Sequence, residues 1–225
     1  MPTHAITRPK ARPPVWLFDL DNTLHDASHH IFPRINRAMT DFIIRELQVE
    51  EPEANQLRMA YWSRYGATLT GLVRHHGIDP HHFLADTHHF PDLAKILRHD
   101  HATNHLLNRL PGRKILFSNG PARYARSIIR AMGIERHFDN IYAIEHLKFR
   151  PKPQIPAYLK LLGDLRVTAG QCVLVEDTAA NLKPAKAMGM TTVWLNAGTR
   201  RPPHVDIMVK SLRELIRRFA HGQPL

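Results

Sequence analysis

Cysteine is nearly absent from this sequence of 225 residues, and long apolar runs are absent altogether. The single cysteine, Cys172, excludes an internal disulfide, which is typical of a reducing compartment, so we expect a cytoplasmic protein and a cysteine that serves only as a small core residue. No stretch approaches the roughly 20 apolar residues that a membrane-spanning helix needs. Residues 1–14 carry three basic residues and four prolines without an apolar segment. We expect a basic, mobile tail there, no signal peptide and no membrane partner.

Acidic residues are also scarce. Lys and Arg number 31 against 20 Asp and Glu, which leaves a formal charge of +11 and a pI near 10.2. Such a balance favours anionic partners: phosphorylated metabolites, nucleic acid or lipid headgroups. The positive charges are dispersed, however, and the longest basic runs are pairs such as Arg200-Arg201 and Arg217-Arg218. This lacks the clustered basic stripe of a nucleic-acid binder, so we expect a small phosphorylated molecule instead.

What the sequence does contain is an apolar run, Val15 to Phe18, that ends in two aspartates, Asp19 and Asp21. A short continuous apolar run predicts a strand buried on both faces, as in a parallel sheet covered by helices. Ligands of open α/β sheets bind at the carboxyl ends of such strands. Two carboxylates this close repel each other unless a cation or a shared proton relieves them. The stretch therefore predicts metal binding, acid–base chemistry or both.

The rest of the chain divides into a helical segment and an alternating one. Between residues 26 and 99 the apolar spacing predicts helices near 35–47, 54–65, 68–75 and 93–97, a polar loop over 77–91, and no strand. From residue 100 onward, helices alternate with strands predicted at 114–117, 141–144, 172–175 and 191–195, followed by a short strand and a last helix within 207–219. Another helix is expected over 181–188, with Pro184 tolerated near its start. This pattern predicts an α/β core domain over 15–25 and 100–225, with helices on both faces of a parallel sheet, interrupted by an all-helical insert over 26–99.

Three later strand ends also deliver polar side chains, namely Ser118-Asn119, Lys152 between two prolines, and Glu176-Asp177. Each has an ordinary structural explanation: a helix cap, a solvated lysine, and acidic residues at a helix N-terminus. In a parallel sheet, however, these ends converge on one crevice. Together with Asp19 and Asp21 they would supply carboxylates, a hydroxyl group and an ammonium group, which is a set suited to phosphoryl transfer.

The four segments, in this order and on these elements, resemble the four motifs of the haloacid dehalogenase-like hydrolases. The resemblance extends from Val15 to about Asn196 and implies a Rossmann-like core and Mg²⁺ as cofactor. It implies that Asp19 attacks phosphorus and becomes an aspartyl-phosphate, while Asp21 protonates the leaving oxygen and then activates water. In the family, the backbone carbonyl of the second aspartate also binds Mg²⁺.

The resemblance assigns the remaining motif residues as well. Ser118, with Asn119 and backbone N–H groups, holds the phosphoryl oxygens, and Lys152 offsets negative charge between Asp19 and the phosphate. Asp177 binds Mg²⁺ with Asp19, and Glu176, which replaces a commoner aspartate, acts through a metal-bound water. The aspartate at position 21 points to a phosphatase or phosphomutase, since the dehalogenases of this superfamily need no acid there.

The insert stands where this superfamily carries its C1-type cap. Its stretch over 61–72, together with 175–178 and 181–186, resembles the pyrimidine 5′-nucleotidase branch. Trp62 and Tyr65 would then stack on a base, and Arg64 would engage a phosphate or a base carbonyl; alternatively, Tyr61, Trp62 and Tyr65 are simply cap core. We expect a Mg²⁺-dependent phosphomonoesterase for a nucleoside 5′-monophosphate, with a pyrimidine base as the first choice. The alternatives are a phosphatase or mutase for sugar phosphates or phosphoglycolate, and a basic nucleic-acid-binding module on the same fold.

Overall fold

A computed structural model describes residues 13–220 as a parallel sheet with helices on both faces. The tail expected over 1–14 lies outside the described residues, apart from Pro13 and Pro14. Among the helices that the structure describes, none combines the length and the apolar character needed to cross a bilayer.

Six strands form the sheet: β1 Val15–Phe18, β2 Lys114–Phe117, β3 Asn140–Tyr142, β4 Cys172–Glu176, β5 Thr191–Leu195 and β6 Ile207–Val209. Their order is β3-β2-β1-β4-β5-β6, and every neighbouring pair is parallel. This is the strand order of a Rossmann-like sheet, and it confirms the predicted α/β class. The order reverses at β1, so the ends of β2, β1 and β4 meet at the switch point, where open sheets of this kind bind ligands.

Within residues 13–220, ten α-helices surround or extend the sheet. Five lie between β1 and β2: α1 Ile31–Leu47, α2 Glu51–Tyr65, α3 Thr68–His76, α4 Pro80–Thr87 and α5 Leu93–Ile96. The other five follow: α6 Thr103–Arg109, α7 Ala122–Ala131, α8 Ile155–Leu165, α9 Ala179–Ala187 and α10 Leu212–Ala220. No strand interrupts the first group within the described residues, although Asp26 and Arg98 form an isolated bridge, with the Asp26 N–H donating to the Arg98 carbonyl over 2.8 Å.

The core has one apolar cluster on each face of the sheet. Along β1, Trp16 and Phe18 point into one cluster, and Val15 and Leu17 point into the other. All four are buried, as a strand covered by helices on both faces requires. A third cluster, built around Phe42, lies among helices α1 to α4.

The prediction of a polar loop over 77–91 is wrong in part, because helix α4 occupies most of this segment. Asp79 caps this helix by accepting a hydrogen bond from the His82 N–H over 2.7 Å, and Pro80 takes the first helical position. An Asp-Pro pair is a good helix start. The polar residues that follow it hid the signal, since only Phe83, Leu84 and Thr87 of the helix are buried.

Several boundaries also differ from the prediction, and two of these differences have a clear local cause or consequence. Strand β3 ends at Tyr142 rather than at residue 144, because the Ala143 N–H donates to His146 Nδ1 and the Ile144 N–H donates to the Gly120 carbonyl. Helix α9 begins at Ala179, two residues before the predicted start. Pro184 is therefore inside the helix rather than near its beginning, and the helix continues past it to Ala187.

Candidate active site

Asp19 is the first residue beyond β1, and it extends the central ladder by one step. Its N–H donates to the Val175 carbonyl of β4 over 3.0 Å. The side chain is consequently fixed between the ends of β2 and β4, and the whole residue is only 7% exposed. The following turn is tied by Asn22, whose side-chain oxygen accepts from the Ala27 and Ser28 N–H groups at 3.0 and 3.1 Å.

Lys152 is buried at the centre of the site and is not a solvated lysine. Its ammonium group donates to Asp19 Oδ1 at 2.8 Å, to Glu176 Oε2 at 2.7 Å and to the Phe117 carbonyl at 2.7 Å. An ammonium group has three donors, so all of them are used. One contact reaches each of the three strand ends that meet at the switch point.

Asn119 holds the backbone of Lys152 in place. Its amide nitrogen donates to the Lys152 carbonyl at 3.0 Å, and its amide oxygen accepts from the Lys152 N–H at 2.8 Å. Ser118 is buried beside it, and its hydroxyl oxygen accepts from the Gly120 N–H at 2.9 Å. Since Pro121 is the N-cap of α7, Ser118 does not cap that helix. The phosphate contacts of Ser118, Asn119 and Lys152 stay predictions.

Burial dominates the electrostatics of this group. It raises the pKa of Asp19 to about 7, with Glu176 adding to the rise and Lys152 opposing it. Burial likewise raises the pKa of Glu176 and of Asp177. For Lys152, burial acts to lower the pKa, but Asp19 and Glu176 outweigh it and the pKa is raised. Three carboxyl groups thus share one ammonium group, which leaves an excess of negative charge to be neutralised by protons or by a further cation.

The donor set fits a magnesium ion. Asp19, Glu176 and Asp177 each offer a carboxylate oxygen, and these three oxygens lie within 4.8 Å of one another. Mg²⁺ prefers a few carboxylate oxygens and completes its octahedron with water. Both oxygens of Glu176 already accept hydrogen bonds, from Lys152 and from the Thr178 N–H at 3.1 Å, which suits the predicted contact through water. Trp194 fixes the neighbouring backbone by donating to the Asp177 carbonyl at 2.6 Å.

Asp21 turns away from this cluster. Its Oδ1 atom accepts a short hydrogen bond from the Tyr124 hydroxyl and lies 2.9 Å from His25 Nε2. Tyr124 and His25 are both buried, and burial together with Asp21 raises the pKa of Tyr124 well above its usual range. The Asp21 side chain keeps 18% exposure. A metal contact of Asp21 through its backbone carbonyl stays a prediction.

The three residues predicted to read the substrate lie at the end of α2, away from the buried cluster. Tyr65 bonds His75 Nε2 at 2.7 Å, and the guanidinium carbon of Arg64 is 5.4 Å from the centre of the Tyr65 ring. Trp62 is 66% exposed, so it is not cap core. Gly66 links this segment to the site, because a Cβ built on it would lie 4.0 Å from Pro153 Cδ, next to Lys152.

Tyr124, His25 and Trp194 are the residues that sequence reasoning misses here. Tyr124 lies among the apolar side chains of α7, where the sequence pattern predicts that an aromatic residue belongs to the hydrophobic core. His25 follows Asp21 by four residues, a spacing that could have drawn attention to it. Nothing in the sequence marks Trp194, since it lies within an ordinary apolar strand.

Comparison with known proteins supports the same interpretation. A family model described as haloacid dehalogenase-like hydrolase matches residues 15–189. Phosphate metabolism protein 8 of Saccharomyces cerevisiae is 27% identical over 194 residues, which cover 78% of this chain but only 59% of the yeast protein. Glyceraldehyde 3-phosphate phosphatase of Methanocaldococcus jannaschii is 26% identical over 216 residues, covering 89% of this chain and 94% of that protein.

Solved structures show the same fold. A HAD phosphatase from Thermococcus onnurineus aligns with a TM-score of 0.66 at 22% identity, over 93% of this chain and 98% of that one. CbbY from Rhodobacter sphaeroides, solved in complex with phosphate, aligns with a TM-score of 0.65 at 19% identity, over 91% and 96%. With its family match covering most of the chain and its strand order, this protein belongs to the haloacid dehalogenase-like hydrolases.

Proposed function

We propose that this protein is a Mg²⁺-dependent phosphomonoesterase that acts through an aspartyl-phosphate on Asp19. The observation that carries the proposal is the buried ammonium group of Lys152, which touches Asp19 and Glu176 at the meeting point of three strand ends. Burying two carboxyl groups and one ammonium group, with a third carboxyl group half-buried beside them, is costly for a fold. Such a group is therefore better explained by a reaction that handles a dianionic phosphate than by stability.

In the proposed reaction, an oxygen of Asp19 attacks phosphorus and the bond to the leaving oxygen breaks. Asp21 gives a proton to that oxygen, which leaves as an alcohol. Water then attacks the phosphorus of the aspartyl-phosphate, Asp21 takes a proton from it, and inorganic phosphate and Asp19 are released. Lys152 favours the ionised form of Asp19 before the attack and orients it, and Ser118 holds a phosphoryl oxygen. Mg²⁺, held by Asp19 and Asp177 and through water by Glu176, would neutralise phosphoryl charge when bound.

The helical insert over 26–99 is the proposed cap, and we propose that the end of α2 reads the leaving group. Its aromatic and basic side chains, Trp62, Tyr65 and Arg64, lie on the segment that approaches Pro153. The exposed Trp62 suits the face of a nucleobase, and Arg64, which lies over the Tyr65 ring, suits a polar group on its edge. This supports a nucleoside 5′-monophosphate, with a pyrimidine base as the first choice.

A triose phosphate is the second candidate substrate. It is favoured by the archaeal relative named for glyceraldehyde 3-phosphate, which this chain matches over 94% of that relative's length. A sugar phosphate has no base to stack on, so the two candidates make different demands on α2.

The test is phosphate release from UMP, CMP, dTMP, AMP, GMP, phosphoglycolate, hexose phosphates and glyceraldehyde 3-phosphate, each with Mg²⁺ and with excess chelator. We expect release that requires Mg²⁺ and favours pyrimidine monophosphates, and Trp62→Ala should raise KM for these by about tenfold while leaving sugar phosphates unchanged. Preference for the triose or another sugar phosphate would keep the reaction and overturn the nucleotide. Asp19→Asn should remove turnover, because an amide cannot form the acyl phosphate; retained turnover would exclude the covalent route.

The alternative outside enzymes is a module that binds nucleic acid without catalysing a reaction. It predicts affinity that falls steeply with salt and is unchanged in Asp19→Asn, together with no phosphate release from any substrate.

A further inference from the structure

We infer that Tyr124 and His25 are positioning residues that hold the Asp21 carboxyl by one oxygen, Oδ1, and so assign the catalytic proton to the other oxygen, Oδ2. The inference rests on the proposed phosphatase function, which makes Asp21 the proton donor.

The first step concerns the hydrogen bonds at Oδ1. The Tyr124 hydroxyl has one proton and donates it to Oδ1. His25 Nε2 lies 2.9 Å from the same oxygen. Within residues 13–220, His25 Nδ1 has no hydrogen-bond partner. We assign the ring proton to Nε2, since the other tautomer would bury an N–H without an acceptor. Oδ1 then accepts two hydrogen bonds and has no room for a proton of its own.

The second step concerns the other oxygen. Among the described residues, no side chain or backbone group bonds Oδ2, and the Asp21 side chain is 18% exposed while both of its partners are almost fully buried. The exposed part of the carboxyl therefore faces open space rather than the protein. A proton carried on Oδ2 can reach the leaving oxygen, and the same oxygen can recover a proton from water in the second half of the reaction.

The third step is the rigidity of the clamp. Tyr124 is 2% exposed, and its ring packs against two rings of the insert. The distance between ring centres is 5.6 Å to His88 and 5.8 Å to Phe90. His25 is 4% exposed and follows Asp21 on the same turn. A tyrosine from α7 and a histidine from the β1 turn thus fix the carboxyl from two directions, as a well-aimed proton donor requires.

The test is a series of substituted phenyl phosphates, from phenyl to nitrophenyl, compared by kcat/KM. This quantity covers binding and departure of the leaving group, but not the hydrolysis of the aspartyl-phosphate that all substrates share. A poor leaving group needs the proton from Asp21, whereas nitrophenolate leaves without it. Tyr124→Phe should lower kcat/KM for phenyl phosphate by about 10- to 100-fold and for nitrophenyl phosphate by less than about threefold.

Two variants of His25 and a control variant of Tyr158 distinguish a positioning role from a role in folding. In His25→Leu, kcat/KM should likewise fall much more for phenyl phosphate than for nitrophenyl phosphate. His25→Gln can place an N–H near the position of Nε2, so it should recover part of the kcat/KM lost for phenyl phosphate. Tyr158→Phe is the matched control: Tyr158 is also fully buried, and its hydroxyl donates to the Asn181 carbonyl at 2.6 Å rather than to Asp21. Any change in its kcat/KM should be by the same factor for every substrate, so that the dependence of kcat/KM on the leaving group stays that of the wild type.

Each outcome is decisive. Equal losses on all phenyl phosphates in Tyr124→Phe and His25→Leu would reduce both residues to structural ones and overturn the inference. If Asp21→Asn makes kcat/KM depend more steeply on the leaving group and neither Tyr124→Phe nor His25→Leu does, the inference fails while the proposed function stands. If the wild-type protein hydrolyses no phosphomonoester, the proposed function fails and the inference fails with it.

Discussion

Replacing Lys152 by methionine tests the central claim that one ammonium group neutralises the buried carboxyl groups. Methionine keeps the length and the apolar stem of lysine but removes the charge and three donors. Asp19, Glu176 and the Phe117 carbonyl would each lose a hydrogen bond of 2.7–2.8 Å. Removing one partner of a buried ion pair costs about 3–5 kcal/mol, because the other charge stays buried without compensation. We expect a loss of this size in the free energy of unfolding at pH 7.

The loss should depend on pH in a defined direction. The pKa of Asp19 is already raised to about 7, that of Glu176 is raised as well, and removal of the ammonium group raises both further. A carboxyl group whose folded-state pKa exceeds its unfolded value takes up protons preferentially in the folded protein, so its protonation stabilises the fold as the pH falls from about 7 towards 4. The deficit of the variant should therefore shrink to less than about half by pH 5.

Urea denaturation of both proteins in chelator, at pH 7 and pH 5, measures this. The control is Lys160→Met, whose ammonium group pairs with Asp164 one helical turn away on the surface of α8, at 2.8 Å. That pair should contribute no more than about 0.5 kcal/mol. A deficit for Lys152→Met below about 1 kcal/mol, or one equal at the two pH values, would refute the reasoning.

Three further predictions address the metal, the insert and the packing of its helices. Asp177→Asn should raise the Mg²⁺ concentration for half-maximal phosphate release by about tenfold or more; an unchanged value would remove Asp177 from the metal site. Burial lowers the pKa of His88 to about 4, so this residue binds protons preferentially in the unfolded chain, and its own contribution to wild-type stability should fall by up to about 3 kcal/mol between pH 6.5 and 4. His88→Phe should flatten that slope in urea titrations, and a parallel slope would contradict it. Gly71→Ala would bring a Cβ within 2.1 Å of Tyr61 Cγ and should cost about 1–3 kcal/mol, whereas Gly163→Ala, with open space around it, should cost nothing.

The sheet and the motif residues are predictable because both are local signals. Each apolar run of the core stops at or just before a polar residue, and β1, β2 and β5 have the predicted bounds. Parallel strands then bring their ends to one edge of the sheet, so Asp19, Lys152 and Glu176 meet even though 133 residues separate the first two. The missed helix α4 shows the limit of this reasoning, since a short helix with three buried residues has too weak a period to detect.

The partners of Asp21 are not predictable for a different reason. Tyr124 is 103 residues away in the sequence, and its hydroxyl reaches Asp21 only because α7 packs beside the β1 turn. A tyrosine on an amphipathic helix carries no sign of whether its hydroxyl faces solvent, a carbonyl or a carboxylate. The same holds for Trp194, whose N–H finds the Asp177 carbonyl across the β4–β5 pair.

Asp19 and Asp21 have different partners, although the charge of Asp21 still adds to the raised pKa of Asp19. The two carboxyl groups do not share a cation in the described residues. Asp19 bonds the ammonium group of Lys152, whereas Asp21 bonds a hydroxyl group and an imidazole. Different partners suit different tasks: an ammonium group favours the ionised form that a nucleophile needs, and neutral donors on one oxygen leave the other free to carry a proton. The proposed assignment of Asp19 as nucleophile and Asp21 as proton donor therefore rests on Lys152 and Tyr124 as much as on the aspartates themselves.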